Sequence, residues 1–305
     1  MANLKILKTR IKSVRSTQKM TKAMKMVAAS RLKKAKNAVE HSRPYAQKIR
    51  EMIEQLSQNI VNRDNFDEKY PLLSGRLDGK NYLLLVISSD RGLCGGLNSS
   101  TVKHTKARVN ELVSQGYDVK IFCVGKKAYD QIKTPFGDKI IAQNFGIFKN
   151  NIDHQVALDI ANKLLSLFEE KKFDICEVIF SKFKSAILQE QVTAQIIPAK
   201  INLDIENKIN QNSSPKNIHI DYPINYEPSK DLILQELLPR NIAMQIYNYL
   251  LENNASEHGA RMAAMESATN NAGKMIKNLT LVYNRTRQAN ITKELIDIIS
   301  GANTV

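Results

Sequence analysis

The chain has no acidic residue before Glu40, no tryptophan and only three cysteines. Nor does any apolar run approach the roughly 20 residues a helix needs to cross a bilayer. Most of these absences exclude something. No helical membrane span is expected. Cys94, Cys123 and Cys176 are odd in number and widely spaced. They fit neither a disulfide framework nor a metal-ligand pattern, which points to a reducing compartment. His41, His104, His154, His219 and His258 share no ligand spacing, and nothing in the sequence sets one of them beside Cys94. Hence no catalytic residue, cofactor site or metal site is expected. The missing tryptophan excludes nothing.

What is present is charge, unevenly placed. Lys5, Lys8, Arg10, Lys12, Arg15, Lys19, Lys22, Lys25, Arg31, Lys33, Lys34 and Lys36 put twelve of the net fifteen positive charges into the first 39 residues. Such a segment calls for an acidic partner: nucleic acid, an anionic membrane or an acidic protein surface. The same stretch carries a heptad seam, read in steps of three and four from Leu4 through Leu7, Ile11 and Val14, and on through Ala28, Leu32, Val39, Ile49, Ile53 and Leu56 to Ile60. A seam this long predicts a coiled-coil helix over residues 1–60, about 85 Å long. Gln18, Thr21, Lys25 and Ser42 interrupt it. Beside the first three breaks, Met20, Ala23, Met24 and Val27 offer a second apolar stripe, so the seam is expected to change face there or to stutter. Spacing continues unshifted past Pro44, which predicts one bent helix.

The middle, residues 61–227, alternates strand and helix signals. Asp64–Lys80 reads as a linker. Tyr82–Ile87, Val119–Val124, Lys139–Ala142, Ile175–Phe180 and Gln191–Ile197 read as strands, with helical stretches from the glycine turn to Gln115, over Lys126–Lys133 and over Asp153–Lys171. This rhythm predicts a Rossmann-like α/β layer with a mainly parallel sheet. Asn202–Ser214 reads as a loop and Ile218–Tyr226 as an edge strand. Asp90–Asn98, DRGLCGGLN, follows the first strand. A glycine loop before a helix can cradle an anion, yet no lysine follows and no dinucleotide fingerprint is present. Gly92, Cys94, Gly95 and Gly96 are therefore read as a structural turn.

Residues 228–305 predict a second long helix of about 105 Å, opened by Ser229 as N-cap with Asp231 in the first turn. Pro239 marks its true start or a kink. Its apolar spacing runs Ile242, Ile246, Tyr249, Leu250, Met262, Met265, Ala268, Ala272, Met275, Leu279, Val282, Ala289 and Ile296. Ser256–Ala272, SEHGARMAAMESATNNA, is small in side chains and rich in methionine, as is Lys19–Leu32, KMTKAMKMVAASRL. Small residues let helices approach closely, and methionine adapts to shape. The two runs are expected to face each other antiparallel, with Met24 near Arg261. The second helix then overshoots the first by some 25 Å. Its half-apolar tip, Leu295–Ala302, would need a partner.

Pattern alone leaves three readings open: a structural shaft, a nucleic-acid-binding coiled coil, and a nucleotide-binding enzyme built on the middle. Few aromatics interleave with the basic residues and no reader motif is present, which counts against nucleic acid. RSTQKMTKAMKMVAASRL, SSDRGLCGGLN and SEHGARMAAMESATNNAGKMIKNLTLVYNRTRQANITKELIDIISGA, in that order along the chain, resemble the gamma subunit of F-type ATP synthases. The resemblance implies a non-catalytic rotor. It turns inside a ring of alternating alpha and beta subunits, binds the epsilon subunit, and stands on the membrane ring of c subunits. Proton-driven rotation of that ring then drives ATP synthesis at the beta-subunit sites. By the same resemblance Met24, Lys25 and Arg261 lie at the level that meets the beta-subunit loops, which are acidic in the family. Arg287 and Gln288 match a pair that bonds to a beta-subunit loop. Cys94 falls at a turn near the base of the ring. Gly259 stands where alanine is common, which suggests local flexibility. The insert behind thiol regulation in the chloroplast version is lacking. The family's first helix begins within the first few residues, so the resemblance implies a bacterial protein, peripheral on the cytoplasmic face of the inner membrane.

Overall fold

The computed structural model describes residues 4–58, 69–76, 79–149, 152–199, 227 and 229–302. The first long helix, α1, runs over Leu4–Gln58 and the last, α6, over Lys230–Ala302. At 1.5 Å per residue they span about 83 and 110 Å. Pro44 lies inside α1 and Pro239 inside α6, so neither proline marks a helix start. The N–H of Leu232 donates to Ser229 Oγ at 3.3 Å, the expected cap.

Between them lie the short helix α2 (Pro71–Ser74), strand β1 (Asn81–Ile87), helix α3 (Leu97–Ser114), β2 (Asp118–Val124), α4 (Lys126–Phe136), β3 (Ile140–Asn144), α5 (His154–Glu169), β4 (Ile175–Phe183) and β5 (Gln189–Ile197). The sheet order is β3-β2-β1-β4-β5. The first four strands pair in parallel and β5 pairs antiparallel with β4. Successive side chains of a strand point to opposite faces, so a sheet covered on both sides carries near-continuous apolar strands. On one face Leu84, Val86, Ile121 and Cys123 pack against Val102, Val109 and Leu112 of α3 and Ala128 and Ile132 of α4. On the other, Leu83, Leu85, Ile87 and Phe122 pack against Ile160, Leu164 and Phe168 of α5, and against Ile242, Ile246 and Leu250 of α6. The last helix is thus a layer of the α/β domain as well as half of the shaft.

Where a linker is expected, the structure has a packed turn. Tyr70 and Leu73, at the start and inside of α2, are buried with Ile49, Ile53 and Leu56 of α1 and Leu234 and Leu238 of α6. The expected loop at Asn202–Ser214, the edge strand at Ile218–Tyr226, Ile60 and the polar part of the linker lie outside the described residues.

The shaft seam corrects two expectations. Met20, Ala23 and Val27 are exposed, so the seam does not change face. It runs straight on, and polar pairs fill its breaks. Thr21 and Thr269 share a 2.8 Å hydrogen bond, Lys25 Nζ donates to Glu266 at 2.6 Å, and Ser42 Oγ donates to Asn248 Oδ1 at 2.7 Å. The same bonds fix the register. Met24 stands across from the turn holding Glu266, not Arg261, about five residues from the expected pairing. Apolar spacing alone misled because threonine, serine and lysine occupy seam positions. The same error puts Met275, Val282, Ala289 and Ile296 at the interface, whereas all four are exposed. Ala272 and Leu279 of the expected spacing do face α1, joined by Ile276 and Tyr283.

One glycine holds the top of the sheet. Gly125 follows β2 at φ +95°, and a Cβ there would sit 2.2 Å from the carbonyl oxygen of Ser88. Ser88 Oγ in turn accepts the N–H of Ala128 at the start of α4. Gly125→Ala is expected to lower stability by roughly 3 kcal/mol through backbone strain and the main-chain clash. Thermal unfolding of the purified chain checks this, with a fall of about 6 °C or more expected at about 2–4 °C per kcal/mol; a melting temperature within about 2 °C of the parent would rule the strain out.

Candidate functional site

The shaft presents two exposed regions. The first is the basic flank of α1 beside the polar seam. Met20, Met26 and Val27 stand out among Lys19, Lys22 and the half-buried Met24 and Lys25. Lys25 reaches Glu266, but both side chains are well exposed, and such pairs contribute about 0–1 kcal/mol. An acidic partner can therefore take Lys25 over at little cost. The second region is the tip of α6. The seam register sets Leu4 opposite Thr286, so among the described residues about 16 residues of α6 continue alone for about 24 Å. Arg287 and Gln288 lie where the pair becomes a single helix, and both are exposed. Ile291, Leu295, Ile296, Ile298 and Ile299 are exposed beyond them.

Arg261 is not part of either region. Its side chain is 12% exposed and turned toward its own chain. Nη2 donates to the Gly92 carbonyl at 3.2 Å and to Glu257 Oε1 at 2.5 Å, and Nη1 donates to His258 Nδ1 at 3.3 Å. The resemblance suggested a partner contact; the geometry makes Arg261 an internal clasp on the DRGLCGGLN turn.

That turn is built as a structural element. Ser89 Oγ donates to the Arg91 carbonyl at 2.6 Å, and Asn98 Nδ2 donates to Cys94 Sγ at 3.2 Å. Asp90 accepts the N–H groups of Lys126 and Phe148, one on each carboxylate oxygen. Gly95 adopts φ +59°, a left-handed conformation that glycine takes freely, while Gly92 and Gly96 have open space around them. Cys94 is buried, and burial raises its thiol pKa, which keeps it protonated and a poor nucleophile. Burial drives Cys123 and Cys176 the same way. No His, Cys, Asp and Glu grouping among the described residues could hold a metal.

Beside the turn lie Glu252 and Asn253, which the sequence did not single out, and Ser256, which opens the small-residue run. Ser256 Oγ donates to the Ser181 carbonyl at 2.7 Å, and Asn253 Oδ1 accepts the Ser181 N–H at 3.4 Å. Glu252 Oε2 accepts the Phe183 N–H at 3.2 Å. The only signal was polar residues recurring in a helix otherwise small and apolar. Gly259 belongs with them. A Cβ there would meet the Phe183 ring at 2.8 Å and Ala186 Cα at 3.4 Å. Glycine at this place serves close approach of the β4–β5 hairpin, not the flexibility the sequence suggested.

Two long helices and one α/β head define a rod with an exposed basic flank and an exposed tip. The ATP synthase family model matches residues 3–305. The gamma chain of Azorhizobium caulinodans is 45% identical over 306 residues, and that of Pelagibacter ubique 44% over 305, each alignment covering 100% of both chains. A chain in a structure of the central stalk and c-ring of Tetrahymena thermophila mitochondrial ATP synthase matches with a TM-score of 0.59 and 27% identity, covering 82% of this chain and 99% of that one. One in the Euglena gracilis mitochondrial enzyme matches in fold, with a TM-score of 0.65 at 18% identity, over 99% of this chain and 94% of that one. The chain belongs to the ATP synthase gamma chain family.

Buried charge around Arg261 makes this part of α6 sensitive to acid. Burial, and then Arg261 and Arg31, push His258 down to about 4. The folded state holds it neutral, and the unfolded chain takes up its proton near pH 6.5. Its contribution is full above about pH 6.5 and is lost as pH falls toward 4, about 3 kcal/mol in all. Glu257 opposes this. Burial raises its pKa, so its cost is relieved on acidification. In His258→Gln, urea unfolding across pH 7 to 4 should show the acid loss reduced by about 1 kcal/mol per pH unit. A profile parallel to the parent would exclude His258 as the titrating group.

Proposed function

We infer that this chain is the central rotor of an F-type ATP synthase, coupling rotation of a membrane ring to ATP synthesis at the beta-subunit sites. One observation carries the reading most directly. The whole chain aligns with gamma chains, and its described part has the rod that such a role needs, with about 24 Å of lone apolar-faced helix at one end. The tip fits a sleeve of alternating alpha and beta subunits. Lys25, Met24, Arg287 and Gln288 contact beta-subunit loops, and the globular end meets the epsilon subunit and the c-subunit ring. No helix among the described residues is long and apolar enough to cross a membrane. The chain is a peripheral subunit, on the cytoplasmic face of a bacterial inner membrane, and carries out no bond chemistry itself.

Magnitudes support the mechanism. Driving a two-state site from 1:99 to 99:1 takes about 5.5 kcal/mol of differential contact. A charge-assisted hydrogen bond contributes about 1.5–3 kcal/mol, so two or three angle-dependent contacts suffice. The shaft's basic flank and lone tip provide contacts that differ with angle, and each beta site responds to the face it meets.

Reconstitution with alpha and beta subunits from the same source tests the reading. One copy per three alpha–beta pairs, with strongly raised ATPase activity, is expected; no complex would defeat it. Within that complex Arg287→Ala should slow turnover roughly tenfold without blocking assembly, the loss of one charge-assisted bond. Unchanged turnover in intact complexes would remove Arg287 from the contact set.

A further inference from the structure

A rotor must pass torque between its head and its rod, and the structure shows where the two are joined. The sheet and α5 pack on α6, and α1 lies on the outer side of α6, entering the domain core with Val39. Over residues 241–265 no position of α6 is exposed. Apolar packing of this kind resists separation, but it resists rotation about the helix axis poorly, because apolar contacts are non-directional. Directional bonds placed off the axis resist it well.

Such bonds concentrate in residues 252–261. Glu252 and Ser256 bond the main chain of Phe183 and Ser181 at the end of β4, and Gly259 lets the same hairpin close on the helix. Arg261, held by Glu257, donates to the Gly92 carbonyl of the turn. At about 100° per residue, the first set lies on one face of α6 and the second about 150° round from it. Asn253, bonded to the Ser181 N–H, lies between them. The domain therefore holds α6 from two nearly opposite sides, mostly through main-chain atoms that belong to rigid elements.

We propose that residues 252–261 of α6 are the torque joint between the globular domain and the shaft, with Arg261 as the positioning residue on the turn side. This rests on the rotor reading. Glu257 holds the guanidinium in place and the guanidinium holds the turn. Twisting the helix against the domain must break the Gly92 bond on one side and the Ser181 and Phe183 bonds on the other. Helix α1 follows α6 through Ser42–Asn248 and the Arg43–Glu252 pair at 3.7 Å.

The test uses the complete ATP synthase in vesicles, carrying the parent chain, R261Q or E257Q. Protons pumped per ATP hydrolysed are measured against a rising opposing proton gradient. R261Q should lower the ratio at least twofold, with a deficit that widens as the opposing gradient grows, because a weakened joint slips under load. E257Q, equal in size, should show the same trend more weakly. A parent-like ratio in R261Q complexes of normal stoichiometry would overturn the proposal. So would a deficit independent of load, which is what simple destabilisation gives. Should R261Q fail to assemble, the load dependence of E257Q decides by the same criterion. Failure of the parent chain to assemble or pump would instead sink the rotor reading.

Discussion

Packing of α6 between residues 241 and 265, where no side chain is more than partly exposed, is the constraint on which the rest depends. A helix in that position has little solvent face. Every side chain must meet the sheet, α5, the glycine turn or α1, and most have to be small, apolar or hydrogen-bonded. Alanine, serine and glycine in SEHGARMAA follow from this. So does the burial of Asn253 and Glu257, which is tolerated because one oxygen of each is bonded. Asn253 Nδ2 and Glu257 Oε2 are buried without a partner, and that cost is part of what burial does to the Glu257 carboxyl.

The shaft above this segment follows a different rule. Its seam alternates apolar residues with Thr21–Thr269 and Lys25–Glu266 instead of excluding polar groups. A polar pair in the seam stabilises less than leucine would, but the part-buried Thr21–Thr269 bond favours one register, since a shift leaves its hydroxyls facing methyl groups. A shaft that must carry load benefits more from fixed register than from the last kcal/mol of stability. Leaving Met20, Met26 and Val27 outside keeps an apolar and basic flank available to a partner.

Much of this was legible in the sequence. The alternation of strands and helices, both long helices, the N-cap at Ser229 and the overshoot of α6 could all be read from spacing and turn chemistry. What could not be read has a common cause. Heptad reading counts apolar residues, so it lost the seam where Gln18, Thr21 and Lys25 occupy it, and it transferred the apolar role to residues that are in fact exposed. The register error at Met24 and Arg261 has the same origin, because only the polar pairs distinguish neighbouring registers. Gly259 was unreadable for a different reason. Its role is set by Phe183, 76 positions away, and local sequence holds no trace of that approach.

Arg261 shows how far a family resemblance reaches. The motif located a residue that matters and assigned it to the surface, since arginine in a basic shaft naturally suggests an acidic partner. Inside the fold the guanidinium finds the carboxylate of Glu257 one turn away and the Gly92 carbonyl beyond it. A planar guanidinium can bond several acceptors at once, and a lysine would keep the charge but not the fork. The same chemistry that would hold a partner's carboxylate here holds the chain's own turn. That makes the helix and the domain one body at the height where the rod leaves the head.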